Sequence, residues 1–309
     1  MDDHPGPGYW PWQDRSGGVS PLRAATFALM LYPTAWTLYH LATGGFGPLP
    51  MVGLIYWSGV WATVLLLAAL AITPLCRIFR WRRLVGVRRM VGVSALLYTL
   101  AHVVIYAGLY RWDLAFLLRD IATRPTLIVA TASTLGLLAL GATSFDAAVR
   151  RMGGRAWKRL HRTNYLLTGL AILHFLLSPG IFSMQYLLAG VYIWLMAWRW
   201  LDRRGRGAQP GALLWLAFVC AGATALVEAG WIWAYHGGAP LETLSDNVTL
   251  ILGITATWWV LALGLLIALG PGIVGAVQAG RRVGDTPPDM HARNLRGRKN
   301  LVGTGPDDP

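Results

Sequence analysis

The chain has 309 residues, of which 55% are hydrophobic and only 13% are charged, and its formal net charge is +13. This composition excludes an ordinary soluble domain and indicates a polytopic membrane protein. The basic residues lie in short loops between apolar segments, which argues against a nucleic-acid partner and for a signal of membrane topology. The two cysteines, Cys76 and Cys220, are far apart, so neither a disulfide framework nor a CxxC metal site is expected.

Eight apolar segments are long enough to cross a bilayer as helices of about 17–25 residues. In chain order they cover residues 22–41, 52–73, 91–110, 126–145, 163–179, 183–200, 211–234 and 248–270. Glycine and proline mark the breaks between them, as in Ser178-Pro179-Gly180. The predicted fold is therefore all-α, a polytopic transmembrane helical bundle of about eight spans. Because the polar start leads directly into a full-length span, no cleavable signal peptide is expected.

The loop charges predict the orientation of these spans. Loop 76–90 holds six arginines and no acid, and loop 146–162, stretch 199–206 and the tail after residue 270 are also strongly basic. Short basic loops stay on the cytosolic side of a membrane. The pattern therefore predicts a multi-pass membrane protein with both termini in the cytosol.

Two histidines, His102 and His174, lie deep inside the third and fifth predicted spans. Each follows its cytosolic helix start by about 13 residues, or roughly 20 Å at 1.5 Å per residue. Since both helices run in the same direction, the two imidazoles reach the same depth and can bind one haem iron from its two sides. Such ligation fills both axial positions and suits electron transfer. A buried histidine that only bonds to a neighbouring helix is the alternative reading.

Two further ionisable residues stand out. His161, at the cytosolic end of the fifth span, is either a ligand of a second haem or an interfacial side chain, and the sequence leaves this open. Glu228 is an acid deep within a span, where it either handles protons or pairs with a tyrosine or tryptophan. No GxGxxG follows a predicted strand and no Walker motif is present, so the chain has no recognisable nicotinamide or flavin-dinucleotide domain.

A set of motifs resembles one family in both order and spacing. The motifs are residues 72–77 (ITPLCR), 88–92 (RRMVG), His102, 124–125 (RP), 143–144 (TS), 153–165 (GGRAWKRLHRTNY) and His174. Over about residues 22–200 the chain resembles the haem-binding membrane subunit of the bacterial periplasmic methionine sulfoxide reductase. This is the MsrQ or YedZ family of the ferric-reductase-like transmembrane superfamily.

The resemblance implies a membrane cytochrome b rather than a complete enzyme. Such a subunit passes electrons from a cytosolic flavin reductase to a periplasmic molybdopterin enzyme that reduces methionine sulfoxide. By position, His102, His161 and His174 match the family's histidines. The expected cofactors are haem b, with one or two copies left open, and FMN as a further candidate near His161. The expected partners are the two enzymes and membrane lipid.

The chain is longer than the six-helix unit of that family. We expect a cytosolic segment at 1–21, a haem-binding transmembrane domain at 22–200, an extra two-helix extension at 201–272 and a disordered cytosolic tail at 273–309. The extension leaves two alternatives open. One is a transmembrane metal or quinone reductase that acts alone, and the other is a haem-free membrane scaffold or transporter.

Overall fold

A computed structural model of the chain describes residues 10–14, 17–179, 183–249, 253–273 and 275. Nearly all of the expected disordered tail at 273–309 lies outside the described residues. The helices are α1 (Pro21–Ala42), α2 (Pro50–Ile78), α3 (Arg88–Leu109), α4 (Leu114–Thr123), α5 (Pro125–Ala142), α6 (Asp146–Met152), α7 (Gly154–His161), α8 (Asn164–Leu177), α9 (Ser183–Arg203), α10 (Pro210–His236), α11 (Pro240–Thr249) and α12 (Ala256–Ala268). The prediction of an all-α bundle is confirmed.

Within the described residues, five helical segments are long and apolar enough to cross a membrane. They are Pro50–Ile78, Arg82–Leu109, Pro125–Ala142, Pro210–His236 and Ala256–Ile273. The second of these joins a short 3-10 helix (Arg82–Val87) to α3. The other predicted spans at 22–41, 163–179 and 183–200 are helical as α1, α8 and α9.

Several segments that the sequence analysis treated as loops or as one span are short helices. The predicted span at 248–270 is wrong at its start, because the chain forms α11 up to Thr249 and α12 begins only at Ala256. Helix α4 begins where the Asp113 carboxylate accepts a hydrogen bond from the Phe116 N–H (2.9 Å). A side-chain cap of this kind stabilises even a short helix.

The centre of the bundle is α2, which packs against α1, α3, α8 and α9. Helix α9 in turn packs against α10 and α12 and joins them to the rest. This junction is close: a Cβ on Gly190 of α9 would lie 2.3 Å from Thr224 Oγ1 of α10 and 2.6 Å from Val260 Cγ2 of α12. Small residues let membrane helices approach in this way.

The basic loops come together at one end of the bundle, which we call the basic face. Arg77 at the end of α2 forms an ion pair with Asp202 of α9. Arg89 at the start of α3 forms another with Asp146 of α6, at 2.7 Å. The opposite face is formed by α4, α11 and the helix ends that adjoin them. The structure therefore gathers the positive charge on one side, as the sequence pattern predicts.

A proline inside α2 leaves a backbone acceptor that a distant arginine satisfies. Pro74 has no N–H, so the carbonyl of Leu70, four residues earlier, lacks its helical donor. The Arg199 guanidinium of α9 donates to this carbonyl oxygen at 2.7 Å. It also lies 4.7 Å from the centroid of the Tyr165 ring. Arg199 thereby supplies a hydrogen-bond donor to the Leu70 carbonyl, which would have none in contact with lipid or with apolar side chains.

We predict that Arg199→Met lowers the free energy of unfolding by about 1–3 kcal/mol, because the Leu70 carbonyl is left unpaired. The loss of unfolding free energy should be smaller in a Pro74→Ala background, because the N–H of Ala at position 74 can donate to the Leu70 carbonyl. Thermal unfolding of the purified protein in detergent measures all four combinations. Arg203→Met, at an exposed arginine of the same helix, is the control and should change little. An equal cost of Arg199→Met in both backgrounds would contradict this account.

Candidate haem site

The structure brings two of the three singled-out histidines together. His102 of α3 and His174 of α8 have ring centroids 6.4 Å apart, with ring planes inclined by 65°. Each side chain is half-buried, so part of each imidazole stays accessible. The two helices do not need to touch each other for this, because α2 packs against both of them.

The hydrogen bonds of His174 determine which ring nitrogen carries the proton. Nδ1 lies 3.0 Å from the carbonyl oxygen of Thr126 in the first turn of α5. A carbonyl oxygen only accepts hydrogen bonds, so Nδ1 is the protonated nitrogen of the neutral ring. Nε2 then holds the free lone pair, which is the state that a metal ligand requires.

The same reasoning applies to His102 through a serine of α2. The Ser58 hydroxyl donates its single proton to the Ile55 carbonyl oxygen at 2.9 Å. Ser58 Oγ also lies 2.9 Å from His102 Nδ1 and must therefore accept from it. Nδ1 of His102 is thus protonated, and Nε2 again holds the lone pair.

The residues fit a bis-histidine haem. Two imidazoles that bind one metal ion from opposite sides at about 2 Å place their centroids about 6 Å apart, close to the 6.4 Å observed. Gly59 leaves the space beside the His102 ring open, because a Cβ there would lie 3.1 Å from His102 Cε1. Imidazole is a usual axial ligand of haem iron.

A polar network on the opposite face supports the Thr126 contact. Asp120 of α4 is buried, accepts a hydrogen bond from the Tyr106 hydroxyl and forms an ion pair with Arg124 at 2.7 Å. Arg124 immediately precedes α5, and Thr126 lies two residues further on. The network therefore fixes the first turn of α5, whose carbonyl holds the His174 ring. It also gives the Arg124-Pro125 motif a structural role that the sequence did not reveal.

His161 lies on the basic face, away from any histidine partner among the described residues. It ends α7, a helix separate from α8, so His161 and His174 do not share one helix as the predicted span implied. Its ring stacks on Trp157 with centroids 4.0 Å apart. Its Nε2 lies 3.2 Å from Thr143 Oγ1. Partial burial lowers the pKa of His161, and the Arg88 guanidinium lowers it further, which favours the neutral ring.

Glu228 of α10 lies outside this site. Its carboxylate accepts a hydrogen bond of 3.1 Å from the Asn247 amide of α11. Among the described residues, the hydrogen-bond partner of Glu228 is thus an asparagine of the extension, and neither a tyrosine nor a tryptophan. The Trp258 indole of α12 donates to the Asn247 carbonyl oxygen at 2.7 Å, so Asn247 links all three helices.

Sequence reasoning missed Ser58, Gly59 and Thr126, which position the two histidines. Serine and threonine are common in membrane helices, and nothing in their local sequence distinguishes a histidine partner from a bond to the preceding turn. Polar residues predicted to lie at the same depth in the membrane as the histidines would have been candidates for their hydrogen-bond partners. Ser58 is at an equivalent depth on a helix that runs in the opposite direction.

A known family model covers the part of the chain that contains Ser58 and His102 and ends next to His174. The model described as the ferric reductase like transmembrane component matches residues 58–173. The match begins at Ser58 and ends one residue before His174. No solved structure matches the chain.

Several curated relatives match over most of their own length. A protein-methionine-sulfoxide reductase heme-binding subunit MsrQ of Polaromonas naphthalenivorans is 33% identical over 60% of this chain and 89% of its own length. The MsrQ of Caulobacter vibrioides is 38% identical over 56% of this chain and 83% of its own. Magnetosome protein MamZ of Magnetospirillum gryphiswaldense is 32% identical, but only 26% of its length is covered.

The coverage shows that these MsrQ relatives are shorter than this chain, about two fifths of which has no counterpart in them. The matches and the family model agree with the motifs of the sequence. The chain belongs to the MsrQ family of ferric-reductase-like transmembrane proteins.

Proposed function

We propose that this chain is a membrane cytochrome b that carries electrons across the bacterial inner membrane to a periplasmic methionine sulfoxide reductase. The observation that carries the proposal is that the His102 and His174 rings lie next to each other. In each ring Nδ1–H donates a hydrogen bond, which leaves the Nε2 lone pair free to bind a metal. The names of the MsrQ relatives, as heme-binding subunits of that reductase, support the same function.

His102 and His174 would hold one haem b through their Nε2 atoms. When bound, haem iron supplies reversible one-electron transfer. Ser58 and the Thr126 carbonyl hold the imidazoles by their Nδ1–H groups and make them stronger donors. With both ligands supplied by protein side chains, the group would serve electron transfer and would not bind oxygen or substrate.

The assignment of His161 to a second haem stays a prediction. In the structure its Nε2 is bonded to Thr143. The Thr143 hydroxyl donates to the Ala139 carbonyl oxygen, so it accepts from His161. Ligation of a second iron would use Nδ1 or require this bond to break. FMN bound near His161, among the arginines of α6 and α7, is the other way to bridge the basic face and the first haem.

The proposed direction follows from the charge distribution. The basic face is the cytosolic side, where a cytosolic flavin reductase delivers electrons. The opposite face, with α4 and the Asp120–Arg124 pair, is the periplasmic side. His102 and His174 lie toward that side, so the proposed acceptor, a soluble molybdopterin enzyme, docks near them. Helices α10 to α12 form the proposed two-helix transmembrane extension with an interfacial helix between its spans.

We predict that His102→Ala and His174→Ala each remove one haem per chain, and its share of the dithionite-reduced b-type absorbance, while the protein still inserts in the membrane. His40→Ala is the matched control and should keep the spectrum, because His40 Nδ1 bonds within α1 to the Trp36 carbonyl. Haem quantified per chain then decides the role of His161, since one haem makes it structural and two make it a ligand. Full haem content in both Ala variants would contradict the assignment.

We predict that Ser58→Ala weakens haem retention by about tenfold and raises the reduction potential. The loss of the hydrogen-bond acceptor makes the His102 imidazole a weaker donor to ferric iron. Thr126→Val is the comparison variant and should shift the potential less, because the Thr126 backbone carbonyl still accepts from His174. Potentiometric titration of the two variants measures both effects. Equal shifts would show that the Ser58 bond has no special role.

The electron-transfer function is tested in proteoliposomes that hold the purified chain. A flavin reductase with NADH and FMN on one side, and a periplasmic methionine sulfoxide reductase on the other, should together reduce methionine sulfoxide. We expect the rate to fall to background with the His102→Ala variant. Reduction of ferric citrate or a quinone without the second enzyme would favour a reductase that acts alone. A colourless protein that supports no reduction would favour a scaffold or transporter.

A further inference from the structure

The loop between α2 and α3 encloses a basic cleft on the basic face. A cavity of about 670 Å³ is lined by Arg80, Trp81, Arg82 and Arg83. A second cavity of about 590 Å³ adjoins it and shares Arg80 and Arg82. The backbone of Arg80 is in the left-handed region (φ 53°), which is uncommon for a residue other than glycine. The chain therefore makes a sharp turn that presents successive arginines to one space.

Two of these arginines have no counter-charge within the described part of the chain. Arg77, at the edge of the second cavity, is paired with Asp202. Arg82 and Arg83 are exposed and form no ion pair there. Two described acids of the basic face, Asp202 and Asp146, contact Arg77 and Arg89. The cleft thus holds positive charge that no described carboxylate neutralises.

The lining of the second cavity combines arginines with less polar residues. Its remaining lining residues are Thr73 and Cys76 of α2 and Val85 of the 3-10 helix. Val85 is 60% exposed, and Trp81, which borders the first cavity, is 48% exposed. Exposed tryptophan at the end of a membrane helix is typical of the membrane–water interface. The space therefore runs from charged groups at the interface toward the hydrocarbon side of α2.

We propose that this cleft binds an anionic phospholipid of the cytosolic leaflet. Its phosphate lies between Arg82 and Arg83, and its glycerol and upper acyl chains lie against Thr73, Cys76 and Val85. Arginine pairs with phosphate through two parallel hydrogen bonds, and basic pockets beside membrane helices bind lipid headgroups. A soluble phosphate shares the headgroup chemistry but would leave the less polar lining residues uncovered. None of the cleft residues belongs to the His102–His174 site, so the proposal does not depend on haem.

The test is a titration of the purified full-length chain in detergent with short-chain phosphatidylglycerol and, separately, phosphatidylcholine. We expect phosphatidylglycerol to bind more tightly. Arg82→Gln with Arg83→Gln should weaken its binding by more than tenfold, at about fivefold for each arginine. Arg203→Gln with Arg206→Gln removes the same charge from exposed positions on the same face and should change the affinity less than twofold. Size-exclusion elution checks that each variant remains folded. The two single variants measure the contribution of each arginine separately.

Three results would overturn the proposal. Equal affinity for both lipids would exclude recognition of the anionic headgroup. Equal weakening in the control double variant would show only general attraction to a basic surface. Competition arms with inorganic phosphate and with FMN identify the source of the phosphate. If either soluble anion displaces the lipid at the same concentration as free phosphatidylglycerol does, the cleft is a soluble-anion site and the lipid assignment fails.

Discussion

The arrangement of this protein depends on the approach of two imidazoles within an apolar bundle. An unpaired histidine is costly in hydrocarbon, so each ring needs a partner for its N–H and a use for its lone pair. Ser58 and the Thr126 carbonyl supply the first requirement. The ring spacing of 6.4 Å leaves room for a metal between the rings and so meets the second. Both requirements constrain the packing of α2, α3, α5 and α8 at the same depth.

The support for this pair extends to the opposite face of the bundle. The Tyr106–Asp120–Arg124 network lies where α4 meets α5, and it holds the turn that carries Thr126. A buried carboxylate is stable there because it has both a hydroxyl donor and a guanidinium partner. The proposed docking face for a periplasmic enzyme is thereby linked through packed contacts to His174, one of the proposed haem ligands. The Thr126 carbonyl that holds His174 therefore lies in a helix, α5, that packs against α4.

The additional helices are attached mainly through α9. That helix is covered on one side by α2 and α8 and on the other by α10 and α12, which meet it at Gly190. The Glu228–Asn247 hydrogen bond holds α11 against α10. The extension therefore covers one side of α9. Helices α10 and α12 pack against α9 and against each other, whereas α3 and α8, which carry His102 and His174, pack mainly against α2 and α5.

The sequence by itself determined the all-α membrane class, the side on which the basic loops gather, and the equal depth of His102 and His174. These features follow from hydropathy, charge and the fixed rise of a helix, which are local properties. Only the tertiary structure decided that Ser58 and Thr126 hold the two rings, that His161 bonds to Thr143, and that Arg199 satisfies the Leu70 carbonyl. Each of these depends on the rotation of one helix about its axis relative to another. That rotation is set by the packing of the whole bundle, so no single segment of the sequence specifies it.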